Sequence, residues 1–502
     1  MGSLRMKSLL NFSTNISIGL VVLFLFSGMA RRPMKEVEKK VTERSGITVQ
    51  NLKRDAAKES SRTPDDLSGD QLTLDTTLKI ALTNNSEIQA AFQDLGIAKA
   101  DVWQATLFKN PTFDGFVRFP NQDTISDGAD TKRTRNNVEL SISQDFIDVI
   151  LMPFKRRAAT AEYDAVKLRV TDAVLGFILE VKKVYYSAQA AEQAVMFQKT
   201  VLEASEAALE LGSRQLKSGN LKALDLAAEQ VAYEEAKLEY EKSLAEERLA
   251  REPLNRLMGL AGHDASVWKI GSPLHDLPEA DPKLDDLEAR ALAERLDLEA
   301  IRQQTKALKR NLTTTRLGIV PRAEVGVNTE KEIDGGRITG PTWNVEVPVW
   351  DQQLAQGSKA KAQWRQNLFH EAAYEIKVQS EVREAITHLQ AARIAAESYR
   401  NKIIPEREKI LGLYLRDYNY MLTGVYQLLD AKQKEVLARR ALIESLKDYW
   451  IATAELEKAV GGKLEFGEVK QEPNEKESMQ EPPSSERAPA MDHSHHHGGH
   501  KS

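Results

Sequence analysis

Leu74-Asp75-Thr76-Thr77-Leu78-Lys79-Ile80-Ala81-Leu82 returns later in the chain as Leu284-Asp285-Asp286-Leu287-Glu288-Ala289-Arg290-Ala291-Leu292, so that the two Ala-Leu pairs stand 210 positions apart. Ser86-Glu87-Ile88 faces Leu296-Asp297-Leu298 at the same offset, and so does Pro111 face Pro321. Further on, Leu226-Ala227-Ala228-Glu229-Gln230 faces Leu429-Asp430-Ala431-Lys432-Gln433 at an offset of 203. The drift reads as a difference in loop length. A period this long exceeds that of solenoid repeats, so the chain is a duplicated domain. Gly262 to Lys283, with its GSPLHDLPEADP run, has the Pro, Gly and Asp content of a linker.

Each half predicts the same order of elements. A helix runs from Leu74 to about Phe108, or from Leu284 to about Gly318. It stops before Asn110-Pro111 or Val320-Pro321, because the residue before proline is biased to extended backbone. Strands follow. Phe113, Val117 and Phe119, with Gly115, share one face, and Asp114 and Arg118 the other. Val138, Leu140 and Ile142 alternate with Asn137, Glu139, Ser141 and Ser143. In the second half Ala323, Val325 and Val327 alternate with Glu324, Gly326 and Asn328, and Trp343, Val345, Val347 and Val349 with Asn344 and Glu346. Period two with one apolar face marks a half-buried sheet or a transmembrane barrel. Asn121 to Arg135 and Lys331 to Gly340 read as polar loops between paired strands.

Long helical patterns follow the strands. Lys155 to Leu216 contains no Pro and only two Gly, which at 1.5 Å per residue is roughly 90 Å of helix. Lys359 to about Tyr420 is similar, with a bend expected at Pro405. Each returns as a second helix, Leu221 to about Leu260 and Val425 to about Val460. Alanines dominate the inner stripe, as close helix packing requires.

The chain has 502 residues and a net charge of −5, which supplies no basic footprint and argues against a nucleic-acid partner. Cys is absent, which excludes disulfides, thiolate metal sites and a Cys nucleophile. The mean hydropathy of −0.44 excludes a polytopic helical membrane protein but not a barrel. Arg5 and Lys7, the apolar run Ile16 to Phe26 and the small residues Ser27-Gly28-Met29-Ala30 form an export signal with cleavage expected after Ala30. Met29 stands where a lipidated Cys would be in a lipoprotein signal.

Four strands cannot close a barrel, since about eight is the smallest number that does. Lipid-exposed sheet edges are not tolerated. Strands that cross a membrane must therefore come from several chains, and three copies supply twelve.

These residues resemble the TolC family of bacterial outer-membrane efflux channels. The resemblance is carried by LTLDTTLKIALTNNSEI, by the counterpart ALAERLDLEAI from Ala291, by the Asn110-Pro111 break, by Val347-Pro348-Val349-Trp350-Asp351, and by Leu428-Leu429-Asp430-Ala431-Lys432-Gln433. It covers about residues 70 to 462. It implies a mostly α fold with a small β part: duplicated strand and long-hairpin halves forming a trimeric 12-stranded outer-membrane β-barrel, continued by a periplasmic α-helical barrel. It implies a homotrimer set in lipid in the Gram-negative outer membrane and periplasm. The homotrimer docks to a periplasmic adaptor and an inner-membrane RND-type pump, conducts substrate passively, and is not an enzyme. A periplasmic adaptor would carry one helical hairpin between Gly-rich strands, and an exported coiled-coil structural protein would leave the four strands unused.

By motif, Asp430 matches the family's gating Asp at the periplasmic tip. Gln427 stands where the archetype has a second Asp, Tyr418 matches a tip Tyr of the closing network, and Asp225 matches its Asp on the inner helix pair. Thr423 stands where a basic partner belongs. Three copies of Asp430 around an axis make an anionic ring that favours cations.

The expected organisation is a signal peptide at 1–30, a polar lead-in at 31–71, and a first repeat at 72–262 with strands at about 112–119 and 136–146. A linker follows at 263–283, then a second repeat at 284–462 with strands at about 322–330 and 342–350, and a disordered His-rich tail at 463–502. In that tail His493, His495, His496, His497 and His500 cluster. Imidazoles on a flexible chain bind Cu, Ag, Zn, Co or Ni. No cofactor is required. With the resemblance, the tail points to a heavy-metal branch similar to the copper/silver and cobalt/zinc/cadmium exporters.

Overall fold

The computed structural model describes residues 31–47, 72–121, 124–127, 130–133, 135–317, 322–333, 335–347, 349–350, 352–464 and 466. The export signal, residues 48–71 and the five tail histidines lie outside the described residues. One compact unit runs to Leu277 and resumes from Leu284 to Leu464; a second takes Pro278–Lys283 and the chain from Glu465. In the second, Pro282 and Phe466 form an antiparallel bridge.

The polar lead-in is corrected at its start. Arg31–Ser45 is a helix, α1. Its charged composition hides Val37 and Val41, one turn apart and both fully buried in the core of the first half. Glu36 reaches Lys167 at 2.9 Å, and that hydrogen bond holds its carboxyl below the usual carboxylate range.

The long helix expected at the head of each half is two helices. In the first half α2 (Leu74–Asn84) and α3 (Ser86–Gln104) part at Asn85. The Asn85 Oδ1 accepts the N–H groups of Glu87 at 2.9 Å and Ile88 at 3.2 Å, an N-cap that satisfies free donors of α3. Thr73 and Thr76 form a capping box at the start of α2.

The strands are β1 (Thr112–Arg118), β2 (Thr124–Asp127), β3 (Asp130–Arg133) and β4 (Asn137–Asp145). The polar loop expected from Asn121 to Arg135 thus contains a small hairpin, β2–β3, in which β-branched Thr124, Ile125 and Thr131 favour extended backbone. From Ile147 to Lys217 runs α4, 71 residues long, or about 107 Å. A turn at Ser218–Lys222, with Gly219 at φ +75°, leads into α5 (Ala223–Met258). The segment read as linker carries the short α6 (Asp264–Val267) and a buried Trp268. The Trp268 indole donates to Asn255 Oδ1 at 2.8 Å, and the Arg251 guanidinium lies 4.1 Å from its ring centre.

The second half repeats this order with α7 (Leu287–Glu294) and α8 (Leu296–Leu317), which part at Arg295. It continues with β5 (Arg322–Lys331) and β6 (Arg337–Glu346). β6 begins before the expected 342 and ends before 350. Gly335 at φ +98° lets Glu332 and Gly336 close a tight turn, so pairing reaches Lys331 and Arg337. β6 ends at Glu346. Next come α9 (Leu354–Ser398), a π-helical turn at Tyr399–Ile403, α10 (Ile404–Asn419) and α11 (Val425–Val460). The π turn directly precedes Pro405, whose missing N–H disturbs the regular ladder.

β1, β4, β5 and β6 make one antiparallel sheet in that order. The β4–β5 pairing, Val138 opposite Lys331 through Asp145 opposite Glu324, joins the halves. Each half has its own core. Val378, Val382, Ala385 and Leu389 repeat at 4-3-4 spacing on α9 against Tyr449 and Leu456 of α11. Val174, Val181 and Ala188 repeat at sevens on α4 against Leu254 and Met258 of α5. Lys182 to Glu457 at 2.6 Å and Lys183 to Glu455 at 2.7 Å tie α4 to α11.

Candidate functional site: sheet faces, hairpin tips and the joint between them

The register sorts the sheet into two faces. Phe113, Val117, Val138, Leu140, Ile142, Val325, Val327, Trp343 and Val345 share one of them. All but Val138 are exposed, Trp343 at 78% and Phe113 at 69%. The opposite face carries Asp114, Arg118, Asn137, Glu139, Ser141, Ser143, Glu324, Asn328 and Glu330, with Phe116 and Ile338 as its large apolar members. β1 and β6 are the edges, and each pairs on one side only.

The turns of the two long hairpins hold the expected gate residues. Asp225 sits in the first turn of α5 and is half-buried. Tyr418 lies near the end of α10, its carbonyl accepting the Met421 N–H at 2.9 Å. Gln427 and Asp430 are exposed on the first turns of α11. Asp430 is paired with Lys434 one turn on, at 2.6 Å. The tie between the hairpins comes from a residue that motif matching passed over: the Tyr426 hydroxyl donates to the Asp225 carbonyl. Glu229, one turn beyond Asp225, is 1% exposed, and its Oε1 is buried without a hydrogen-bond partner. Burial raises its carboxyl pKa. Deeper in the hairpin, Glu435 is buried between Lys432 and Arg439, and Arg439 also reaches Glu408 of α10.

Between sheet and tips, the α7–α8 break centres on Arg295, 6% exposed. Its guanidinium donates to both Asp297 oxygens, at 3.1 and 2.6 Å, and to Glu381 of α9. The Tyr374 hydroxyl completes the set on Asp297 Oδ2 at 2.8 Å. Burial pushes the Asp297 carboxyl up, but the Arg295 guanidinium outweighs it and holds the group below the usual range. Beside them a cavity of about 40 Å³ is lined by Arg44, Asp172, Lys182, Arg295, Glu457 and Lys458 among others. Burial, and then the Asp297 charge, push the Asp172 carboxyl up to about 6.

Among the described residues no group of three or more His, Cys, Asp or Glu could hold a metal ion. Nor is any described helix long and apolar enough to cross a membrane.

Residues 77–260 match the model of the outer membrane efflux protein family. No curated protein matches the chain. Among solved structures, the Campylobacter jejuni CmeC outer membrane channel aligns with a TM-score of 0.66 at 16% identity, over 84% of this chain and 93% of that one. CusC, crystallised to follow folding and transmembrane channel formation, aligns with a TM-score of 0.63 at 16% identity, over 81% and 99%. The open state of the Neisseria gonorrhoeae MtrE outer membrane channel aligns with a TM-score of 0.61 at 20% identity, over 78% and 89%.

The chain thus shares the fold of these outer membrane channels, and its residues 77–260 match the outer membrane efflux protein family.

Its fold class is the expected one, mostly helical with a small sheet in duplicated strand and long-hairpin halves.

Proposed function

We propose that three copies of this chain form an outer-membrane efflux channel that passively conducts substrate handed over by a periplasmic adaptor and an inner-membrane RND-type pump. One observation carries the reading: a four-stranded sheet with an exposed apolar face and two edges that have no strand partner among the described residues. Such edges are not tolerated in hydrocarbon. Joining β6 of one copy to β1 of the next, three times, closes twelve strands and removes every edge. The strands at 112–119, 136–146, 322–330 and 342–350 expected within the two repeats belong to this reading, as do the signal peptide, linker and tail.

The helices supply the periplasmic conduit, and its closure falls to the hairpin tips. Asp430, Gln427, Asp225 and Tyr418 are the gate residues in this reading. Asp430 presents a carboxylate that Lys434 partly neutralises, so the ring draws cations while letting them leave. The chain supplies no covalent step. The conducted substrates are heavy-metal cations, a reading supported by His493, His495, His496, His497 and His500, whose imidazoles suit Cu, Ag, Zn, Co and Ni.

The test is fractionation with gel analysis. The chain is expected in the outer-membrane fraction as a trimer that survives mild detergent and dissociates on heating. Recovery as a soluble periplasmic monomer would refute the channel. For the substrate, cells lacking residues 490–502 are expected to lose tolerance to at least one of these metals; unchanged tolerance to all five would remove the tail's role.

A further inference from the structure

The polar face of the sheet carries a cluster that neither the gate nor the tail involves. Glu139 of β4 and Glu330 of β5 stand directly opposite each other, an arrangement of like charges that destabilises a ladder. Their side chains are 21% and 32% exposed. The Asn137 Nδ2 donates to Glu330 Oε1 at 2.6 Å, and the Asn328 Nδ2 donates to Glu139 Oε1 at 2.9 Å. The Arg118 guanidinium donates to Glu139 Oε2 at 3.1 Å and lies 3.9 Å from Glu330 Oε1. Among the described residues one cation thus faces two carboxylates.

A second observation points to a ligand. Asn137 is 6% exposed, and its amide is held inside the cluster by Glu330. Its Oδ1 is buried with no donor in reach, and so is the Oδ1 of Asn328. A buried acceptor without a donor costs about 1–3 kcal/mol. Two such amide oxygens beside two carboxylates form an all-oxygen donor set, the chemistry that receives hard cations such as K⁺, Mg²⁺ and Ca²⁺ rather than thiophilic ones. The position is informative too. Arg118 ends β1, Asn137 begins β4 and Glu330 is one residue from the end of β5, so the cluster lies at the loop end of the sheet, away from the long helices.

We propose that Glu139, Glu330, Asn137 and Asn328 form a cation-attracting station at the outer mouth of the channel, with Arg118 as the built-in counter-charge that keeps ions from lodging there. The inference rests on reading the polar face as the lumen. It adds a second selectivity element at the opposite end from the Asp430 tip. Ions must be drawn in yet released, and a guanidinium competing for the same carboxylates provides the release.

Planar-bilayer recordings of the purified full chain in a KCl gradient test it. The wild-type reversal potential is expected to report cation preference. Glu139→Gln and Glu330→Gln, each alone, are expected to lower the K⁺/Cl⁻ permeability ratio by about threefold with conductance retained, and Arg118→Gln to raise it. Ca²⁺ added to the wild type is expected to reduce the K⁺ current, and less so in Glu139→Gln. Conductance with an unaltered permeability ratio in both Glu variants overturns the station alone. Should the Glu variants not insert, an unaltered ratio in Arg118→Gln together with no Ca²⁺ effect on the wild type overturns it equally. A wild-type chain without any conductance overturns the channel reading, and the station with it.

Discussion

The first half breaks its leading helix at Asn85 and the second at Arg295, at positions 210 apart in the duplicated frame. Both residues are buried to the same degree. Asn85 makes the break with a neutral amide: Oδ1 caps α3, and Nδ2 donates to the Leu257 carbonyl at 3.2 Å. Arg295 makes it with a buried charge held by Asp297 and Glu381. Duplication preserved the geometry of the joint, not its chemistry. A neutral cap loses three hydrogen bonds to uncharged partners when removed, whereas a buried ion network loses the compensation of every charge around it.

The largest expected effect follows from that contrast. Arg295→Ala leaves Asp297 and Glu381 without their cation and is expected to cost about 3–5 kcal/mol, read from the denaturant midpoint of the detergent-solubilised protein. A loss no greater than that of Asn85→Ala would erase the distinction between the halves.

Next comes Asp172, which faces Asp297, Arg295, Glu381 and Lys458 across the same joint. Arg44, Lys182 and Glu457 line the cavity with it. Its carboxyl, pushed up to about 6, lies above the ordinary 3.8 of an aspartate, so the folded state holds more protons between those values. Stability from this group is therefore present at pH 4 and lost as pH rises through about 6. Asp172→Asn is expected to raise stability at pH 7 by on the order of 2 kcal/mol and to flatten the melting profile between pH 4 and 6. A variant with the wild-type pH profile would show that another group titrates there.

Asn85→Ala is expected to cost about 1 kcal/mol, with Asn85→Asp recovering most of the cap; a cost near that of the Arg295 change would mean the first joint carries more than a cap. The smallest effect belongs to the exposed Asp430–Lys434 pair, whose side chains are 58% and 49% exposed. Lys434→Ala is expected to change stability by less than about 0.5 kcal/mol while increasing cation preference in bilayer recordings. A large stability loss there would mean the tip is more tightly organised than its exposure indicates.

The strands were legible because period two leaves a local trace: Val138, Leu140 and Ile142 fall on one face whichever strand they pair with. The hairpin tips were legible only in part. Motif offered Asp430 and Asp225 as candidates there, but the Tyr426 hydroxyl that meets the Asp225 carbonyl lies 201 positions away and has no local signature. The α1 helix was missed because two buried valines are too few to outweigh its charges until α4 and its core are present to cover them.

From the sequence alone came the duplication, the sheet faces, the two long hairpins and the membrane-compatible pattern, because each rests on spacing within a segment. Tertiary structure decided which charges meet. The Glu139–Glu330 opposition, the Arg295 network and the Tyr426 tie join residues 191, 86 and 201 positions apart. Coulomb and hydrogen-bond energies depend on distances that only the folded register sets, so chemistry at the joint and the mouth became readable only when the two halves were paired.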